Sequence, residues 1–220
     1  MAVKNNKYSL GKAITLVLIL LIPGLLHLYL RQTGENIYKS LPYLGNEAVG
    51  SIKQVQSFEL LNQDNEIINF PERPSITVVN FMHTDCEVFG GMMELAMDKV
   101  AKKFGKHQMV NLYSISLDSN DTPAVLKTLS NKYHAKETNW QFLTGSESET
   151  SRIAKQEFML DGFRDTLNSD RIIHSPFLVL LDSKQQIRGY YEFYTKDEVD
   201  RLVGEMILLI TEDSKEKRNE

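Results

Sequence analysis

The chain contains a single cysteine, Cys86, in surroundings that favour thiol chemistry. An apolar run over residues 76–82 precedes it, and a glycine pair, Gly90–Gly91, follows it. A stretch with helical spacing then extends from Met92 to Phe104. The pattern therefore predicts a strand, a loop that carries the thiol, and a helix. Backbone N–H groups at a helix N-terminus favour a nearby thiolate, which is both a nucleophile and a soft metal ligand.

Having only one cysteine restricts what the thiol can do. One cysteine excludes a disulfide within the chain, and dithiol exchange needs a second, resolving thiol. A one-cysteine peroxidase is an alternative, because an external thiol could resolve a sulfenic acid formed on Cys86. A second alternative is that Cys86 is an inert, buried side chain, since a thiol packs like a small apolar group.

The N-terminal region predicts a membrane anchor. Residues 13–30 contain no Asp, Glu, Lys or Arg, and at about 1.5 Å per residue they can cross the hydrocarbon core of a bilayer. Three lysines lie within residues 1–12, whereas Arg31 alone follows closely. This asymmetry predicts a cytoplasmic N-terminus over residues 1–12, a single-pass anchor and an exported remainder. The residues that follow lack an A-x-A-like cleavage site, so we expect an uncleaved anchor.

Charge and composition divide the rest of the chain. Residues 1–31 hold four of the 25 basic residues and no acid, which leaves 21 basic against 29 acidic residues, a net charge of about −8. Such an acidic domain, without a basic aromatic stripe, is unsuited to binding nucleic acid.

Composition also divides the chain into segments. We predict a linker over residues 31–50, a single domain over residues 51–210, and a charged, frayed tail over residues 211–220.

Strands and helices alternate in the predicted domain. Ile76–Met82 and Met109–Leu117 are apolar enough to be buried parallel strands. The remaining predicted elements are a hairpin over Ser57–Leu61 and Glu66–Phe70, a strand pair over Phe177–Leu181 and Ile187–Glu192, and helices over Asp121–Tyr133, Ser148–Phe158 and Lys196–Ile210. This order predicts an α/β fold with a central mixed sheet flanked by helices.

Three aspartates, Asp118, Asp121 and Asp182, raise the alternative of a hard-metal site. Asp121 precedes Thr122 and Pro123 at a predicted helix start, which favours a helix N-cap. Asp182 lies between two predicted strands, which favours a turn.

Four stretches, taken as a set and in this order, carry a resemblance to a known family. They are Val79-Asn-Phe-Met-His-Thr-Asp-Cys86, Ser114-Ile-Ser-Leu-Asp-Ser-Asn-Asp-Thr-Pro123, Asn139-Trp-Gln-Phe-Leu-Thr-Gly145, and Ile173-His-Ser-Pro-Phe-Leu-Val-Leu-Leu-Asp182 with Ile187-Arg-Gly-Tyr-Tyr191. The set resembles the SCO/SenC family, thioredoxin-like and membrane-anchored proteins associated with copper delivery to respiratory oxidases. The resemblance implies a thioredoxin-like fold over roughly residues 55–210.

The resemblance fails at two positions of the family's metal motif: the second cysteine and the acid that often lies between the two cysteines, which is Val88 here. Where the family has Cys-x-x-x-Cys, this chain reads Cys86-Glu-Val-Phe-Gly90, so a glycine replaces the second sulfur. Of the family's two sulfurs and one imidazole, Cys86 and His174 remain. The resemblance implies that these two side chains meet at one end of the sheet as a soft site for Cu(I) or, more weakly, Cu(II). A third ligand could come from the set His83, Met82, Asp85, Met92 and Met93, of which His83 is our candidate.

The function implied by the resemblance is copper binding and delivery for the assembly of a respiratory cytochrome oxidase. The protein would then be an assembly factor rather than an enzyme. Its partners would be an oxidase subunit or other respiratory-chain assembly proteins. It would sit in the inner membrane, with its C-terminal domain on the periplasmic side.

Two alternatives to this function remain at the level of sequence. One is a diverged, metal-free thioredoxin-like module that binds a partner, and the other is a one-cysteine thiol oxidoreductase or peroxidase. In the first case, a cis bond before Pro176 could hold His174 near Cys86 through backbone geometry without any metal.

Overall fold

The fold is taken from a computed structural model of the chain. It describes part of residues 11–25 and then residues 41–44, 52–86, 90–160 and 175–219. The chain divides into two compact units, Met1–Ser40 and Leu41–Glu220.

In the first unit, every described residue between 11 and 25 is helical. The helix exposes a set of large apolar side chains: Val17, Leu18, Ile19, Leu21, Ile22 and Leu25. The predicted anchor over residues 13–30 lies partly outside the described residues. Within the part of the chain that is described, no helix has both the length and the apolar character needed to cross a membrane.

The second unit is built on a seven-stranded mixed sheet in the order β2-β1-β5-β4-β3-β6-β7. The strands are β1 (Phe58–Asn62), β2 (Ile67–Phe70), β3 (Ile76–Met82), β4 (Val110–Ser116), β5 (Trp140–Thr144), β6 (Phe177–Leu181) and β7 (Ile187–Glu192). Strand β3 runs parallel to β4 on one side and antiparallel to β6 on the other. Every residue of β3 and β4 is buried, as expected for largely apolar strands in a sheet covered on both faces.

Helices cover the two faces of the sheet. They are α1 (Gly90–Phe104), α2 (Pro123–Lys132), α3 (Glu147–Arg152), which continues as a π-helical turn (Ile153–Glu157), and α4 (Lys196–Asn219). Val78 of β3 packs in a core cluster with α1, α2 and α4, whereas its neighbour Val79 packs in a second cluster with the π-helical turn. This alternation follows from the two-residue period of a strand. The predicted α/β, thioredoxin-like arrangement is confirmed.

A buried chain of hydrogen bonds fixes the start of α1 on the sheet. Trp140 Nε1 donates to Ser114 Oγ at 2.9 Å, and that hydroxyl donates to Asn80 Oδ1 at 2.7 Å. Asn80 Nδ2 in turn donates to the sulfur of Met93, in the first turn of α1. Because each polar atom has a partner, the chain ties β5, β4, β3 and α1 together without an unsatisfied buried group. The predicted apolar face of α1 is buried: Met93, Met97, Val100 and Phe104.

Two features of the second unit differ from the sequence prediction. Strand β5, over Trp140–Thr144, was not predicted as a strand. The prediction of a frayed tail after Ile210 is wrong, because α4 continues to Asn219. Asp213 lies one turn beyond the buried Leu209 and accepts a hydrogen bond from Ser183, so the buried face of the helix extends into the charged segment.

The linker predicted over residues 31–50 joins the folded domain at Leu41. Arg188, a β7 residue that is 5% exposed, donates from Nη2 to Leu41 O at 2.6 Å and from Nε to Pro42 O at 3.3 Å. Its Nη1 pairs with Asp182 Oδ2 at 3.0 Å. The buried guanidinium is therefore compensated by two backbone carbonyls, by this carboxylate, and by a second carboxylate, Glu212 Oε2, 4.0 Å from Nη2.

This attachment lies at the edge of the sheet where β3 begins. Leu44 N donates to Ile187 O at 2.8 Å. Ile187 pairs with Leu181, and Leu181 pairs with Thr77 near the start of β3. The chain therefore enters the domain at the edge opposite to the one at which β3 ends.

One buried carboxylate on α1 has an unsatisfied oxygen. Glu94 is 4% exposed, and its Oε2 has no hydrogen-bond partner among the described residues. Burial raises the pKa of Glu94 to about 7, while the charge of Lys132 acts in the opposite direction.

We predict that Arg188→Ala lowers the free energy of unfolding by about 3 kcal/mol, because it leaves the carboxylate of Asp182 buried without its positively charged partner. It should also make the peptide bond after Tyr43 accessible to chymotrypsin, since Leu41 and Pro42 lose their donors. Urea unfolding and limited proteolysis measure the two effects. Arg218→Ala, at an exposed position, is the control and should change the free energy by less than about 0.5 kcal/mol. An Arg188→Ala protein as stable and protease-resistant as wild type would contradict this role.

A second prediction concerns pH. Because burial holds the folded-state pKa of Glu94 above its ordinary 4.5, the folded state keeps a proton that the unfolded state loses. Stability should therefore fall as pH rises from about 4.5 to about 7, by at most about 3 kcal/mol.

Glu94→Gln should remove this loss, so its stability should match wild type near pH 5 and exceed it near pH 8 in urea unfolding. Lys132→Met removes the opposing charge and should extend the loss to higher pH. A difference between Glu94→Gln and wild type that is the same at both pH values would disprove the assignment.

Candidate functional site

Cys86 lies in the loop between the central strand and the first helix of the domain. Strand β3 ends at Met82 and α1 begins at Gly90. Cys86 is half-buried in this loop. The strand–loop–helix placement of the thiol is thus confirmed; residues 87–89 lie outside the described part of the chain.

A buried carboxylate holds the start of this loop. Asp121, which is 3% exposed, accepts a hydrogen bond from the backbone N of Thr84 at 2.9 Å through Oδ2. Its other oxygen, Oδ1, accepts from the hydroxyl of the same threonine. Ser116 Oγ, at the end of β4, donates to Oδ2 at 2.5 Å. The charge is therefore satisfied by three donors, two of them from the residue two positions before Cys86.

The prediction that Asp121 caps α2 is wrong. Thr122 occupies the N-cap, and its Oγ1 accepts from Val125 N at 3.5 Å. Both oxygens of Asp121 are instead used by groups outside α2. Asp and Thr are both preferred at the N-cap, with Asp ranked higher, so residue type alone pointed to the wrong residue of the pair.

The hard-metal alternative finds no support from the geometry. Asp118 Oδ1 accepts from the backbone N of Asn120 at 2.8 Å. Asp182 Oδ1 accepts from the backbone N of Lys184 at 3.0 Å, which confirms its role in a turn. In the described ranges, no three His, Cys, Asp or Glu residues form a group that could hold a metal ion.

His174, the second predicted ligand, lies outside the described residues, as does the whole of 161–174. The residues that follow it are described. In the antiparallel pair of β3 and β6, Asn80 lies opposite Leu178. The chain therefore enters β6, through Ser175 and Pro176, at the edge where β3 ends.

The cis-proline alternative is wrong. Among the described residues, the cis peptide bond precedes Pro71, not Pro176. Pro176 instead accepts a hydrogen bond through its carbonyl from Phe193 N at 3.1 Å, which joins the start of β6 to the turn after β7.

The candidates for a third ligand fall into two groups. His83, half-buried, and Asp85, exposed, lie in the same loop as Cys86. Met82 and Met93 are buried in the core, and the Met93 sulfur accepts the Asn80 hydrogen bond. Met92 is 46% exposed at the start of α1.

Sequence reasoning missed Thr84 and Ser116, and it assigned Asp121 to the wrong role. A signal for the cluster was present, because β3 and β4 are parallel and their carboxyl ends lie at the same edge. Polar residues that follow two such strands meet there. The pairing of Thr84 with Asp121 depended on the exact register, which the sequence does not specify.

Comparison with known proteins agrees with this architecture. A model of the SCO1/SenC family matches residues 47–206. Among curated proteins, the SCO1 protein homolog of Bacillus subtilis (strain 168) is 26% identical over 161 residues, which is 70% of this chain and 81% of that protein.

Solved structures have the same fold. One is BsSco, a member of the Sco family of cytochrome c oxidase assembly proteins in which a disulfide switch was identified. It gives a TM-score of 0.64 at 24% identity, over 79% of this chain and 98% of that one. Another is the copper-bound ScoI of Bradyrhizobium japonicum, with a TM-score of 0.55 at 19% identity, over 69% and 98% of the two chains. Since the family model matches well over half of the chain and the fold agrees, the chain belongs to the SCO1/SenC family.

Proposed function

We propose that the protein binds one copper ion through the Cys86 thiolate and the His174 imidazole and delivers it during assembly of a respiratory cytochrome oxidase. Membership of the SCO1/SenC family supports this proposal. So do two proteins of the same fold: BsSco belongs to a family of cytochrome c oxidase assembly proteins, and ScoI of Bradyrhizobium japonicum was solved with copper bound.

The observation that carries the proposal is the register of β3 and β6. Cys86 follows the end of β3 by four residues, and His174 precedes the start of β6 by three. The two strands are hydrogen-bonded neighbours, and such neighbours lie about 4.8 Å apart. Two short segments that leave the same edge of the sheet from adjacent strands can reach a shared ion.

The donor set suits copper better than the common hard cations. A thiolate is a soft ligand and an imidazole binds copper well, whereas Mg²⁺ and Ca²⁺ prefer oxygen. His83, in the same loop as Cys86, is our candidate for a third ligand. Cys86 is half-buried, so one side of the site remains open to a client protein.

Having a single cysteine thiol restricts the mechanism by which copper would be released. BsSco has a disulfide switch, which requires two cysteines, whereas this chain has one. Oxidation of a dithiol within the chain therefore cannot accompany transfer. We propose ligand exchange instead: the client's donor replaces Cys86 on Cu(I), the oxidation state is unchanged, and the thiolate takes up a proton on release.

We also propose that residues 13–30 anchor the protein in the inner membrane, with residues 51–210 on the periplasmic side. The run of exposed apolar side chains on the N-terminal helix supports the anchor, and the three lysines before it support the orientation. The chain enters the domain at the edge opposite Cys86. This arrangement leaves the Cys86 edge unobstructed by Leu41–Leu44 and accessible to an oxidase subunit or another assembly protein.

The copper proposal is tested by competition for Cu(I) with a chromogenic chelator. We expect one Cu(I) per chain. Cys86→Ser removes the thiolate ligand and should weaken binding by more than about a hundredfold, where each tenfold corresponds to about 1.4 kcal/mol. His174→Ala should weaken it by about tenfold or more. His107→Ala is the matched control, because His107 is exposed and lies before β4, at the opposite edge of the sheet. It should bind as wild type does.

Three results would count against the copper proposal. Cu(I) binding that is unchanged in Cys86→Ser would remove the thiolate from the site. Absence of binding by the wild type would favour a metal-free module that binds a partner. Peroxide consumption that needs an external thiol and is lost in Cys86→Ser would favour a one-cysteine peroxidase.

The proposed topology predicts the behaviour of reporter fusions. Alkaline phosphatase fused after Glu220 should be active, because that enzyme folds only after export. The full chain should stay in the membrane fraction after carbonate washing, and deletion of residues 1–31 should abolish both results. An inactive C-terminal fusion, or full-length protein released by carbonate, would contradict the anchor.

A further inference from the structure

We infer that Asp121 is a positioning residue for the proposed copper site and acts by anchoring Thr84, two residues before Cys86. The positioning role of Asp121 rests on the proposed function. Its hydrogen bonds to Thr84, however, do not depend on a bound metal. It assigns a functional role to a carboxylate that sequence reasoning placed in a helix cap.

The anchor consists of two contacts to one residue. Asp121 Oδ2 accepts from Thr84 N at 2.9 Å, and Oδ1 accepts from the Thr84 hydroxyl. A carboxylate that binds both the backbone and the side chain of one residue fixes its position and its orientation together. The backbone direction of the loop towards Cys86 is therefore set at Thr84.

The carboxylate is itself held in place. Ser116 Oγ donates to Oδ2 at 2.5 Å and accepts from the backbone N of Asp118 at 3.1 Å. Asp121 N donates to the carbonyl of Asp118 at 3.1 Å. The carboxylate is thus fixed to the end of β4 and to the turn before α2, and it transmits their position to the Cys86 loop.

This arrangement is not needed to begin α2. Thr122 supplies the cap of that helix, through its contact with Val125 N. Burying a charge is costly unless it is fully compensated, and Asp121 is 3% exposed. Its compensation comes from Thr84 and Ser116 rather than from the helix. The chain therefore buries a carboxylate where it ties the thiol-bearing loop to the end of β4.

The loop is also fixed at its other end. Met93, in the first turn of α1, accepts the buried hydrogen bond from Asn80 of β3. Cys86 therefore lies between two fixed points, Thr84 and Met93, both tied to the central strands. A loop that is already held in place without metal loses less conformational freedom when copper binds than an unattached loop would.

The experiment compares Thr84→Val, which keeps the shape but removes the hydroxyl, with Thr84→Ser, which retains it. Asp121→Ala removes the whole anchor. The metal-independent readout is the rate at which iodoacetamide alkylates Cys86 in the apoprotein, measured under native conditions. Because the half-buried thiol becomes more accessible when the loop is released, Thr84→Val should raise this rate by about fivefold. Thr84→Ser should stay within about twofold of wild type.

Thr122→Ala is the matched control for stability. It removes the cap of α2, one residue from Asp121, without touching Thr84, so urea unfolding should show a loss while the alkylation rate stays at the wild-type value. Cu(I) competition on the same variants should give weaker binding for Thr84→Val and Asp121→Ala than for Thr84→Ser and Thr122→Ala.

Two outcomes would overturn the inference. One is a wild-type alkylation rate in Thr84→Val and in folded Asp121→Ala. The other is an equal acceleration in Thr122→Ala, which would make the effect one of general stability. Failure of the copper proposal would appear separately, as absence of Cys86-dependent Cu(I) binding in wild type, and it would leave the alkylation result intact.

Discussion

The pairing of β3 with its two neighbours is the constraint on which the candidate site depends. Parallel pairing with β4 brings Ser116 and Asp121 to the edge where β3 ends, and antiparallel pairing with β6 brings the chain after His174 to the same edge. Residues far apart in sequence are thus directed to one place by backbone hydrogen bonds alone. The continuous burial of β3 makes this register hard to shift, because a slip of one residue would exchange the side chains of its two faces.

The two ends of the central strand are fixed by buried charges with different tasks. At the start of β3, Arg188 attaches the incoming chain to the sheet. At its end, Asp121 attaches the loop that carries Cys86. Both charges are compensated by hydrogen bonds, as burial requires. The chain is thus attached at one edge and carries Cys86 at the other, an arrangement that suits the proposed delivery of copper to another protein.

Local pattern was enough to predict much of this fold. Strand β3 was predicted to the residue, because its run of mostly apolar residues is sharply bounded. Strand β5 was missed, since Trp140–Thr144 is short and contains polar residues. The role of Asp121 was misassigned, because the cap preference is local whereas Thr84 lies 37 residues away. Cys86 was found through its residue type and flanks, and its convergence with His174 remains a prediction.

The most direct test of the account is X-ray absorption at the copper edge of the Cu(I)-loaded full-length protein. One sulfur and at least one imidazole nitrogen per copper, with a weaker imidazole signal in His174→Ala, is the result that the account predicts. A shell made only of sulfur, whether from methionine thioethers or from copper shared between two copies, would contradict it. A copper ion without any sulfur ligand would contradict it equally.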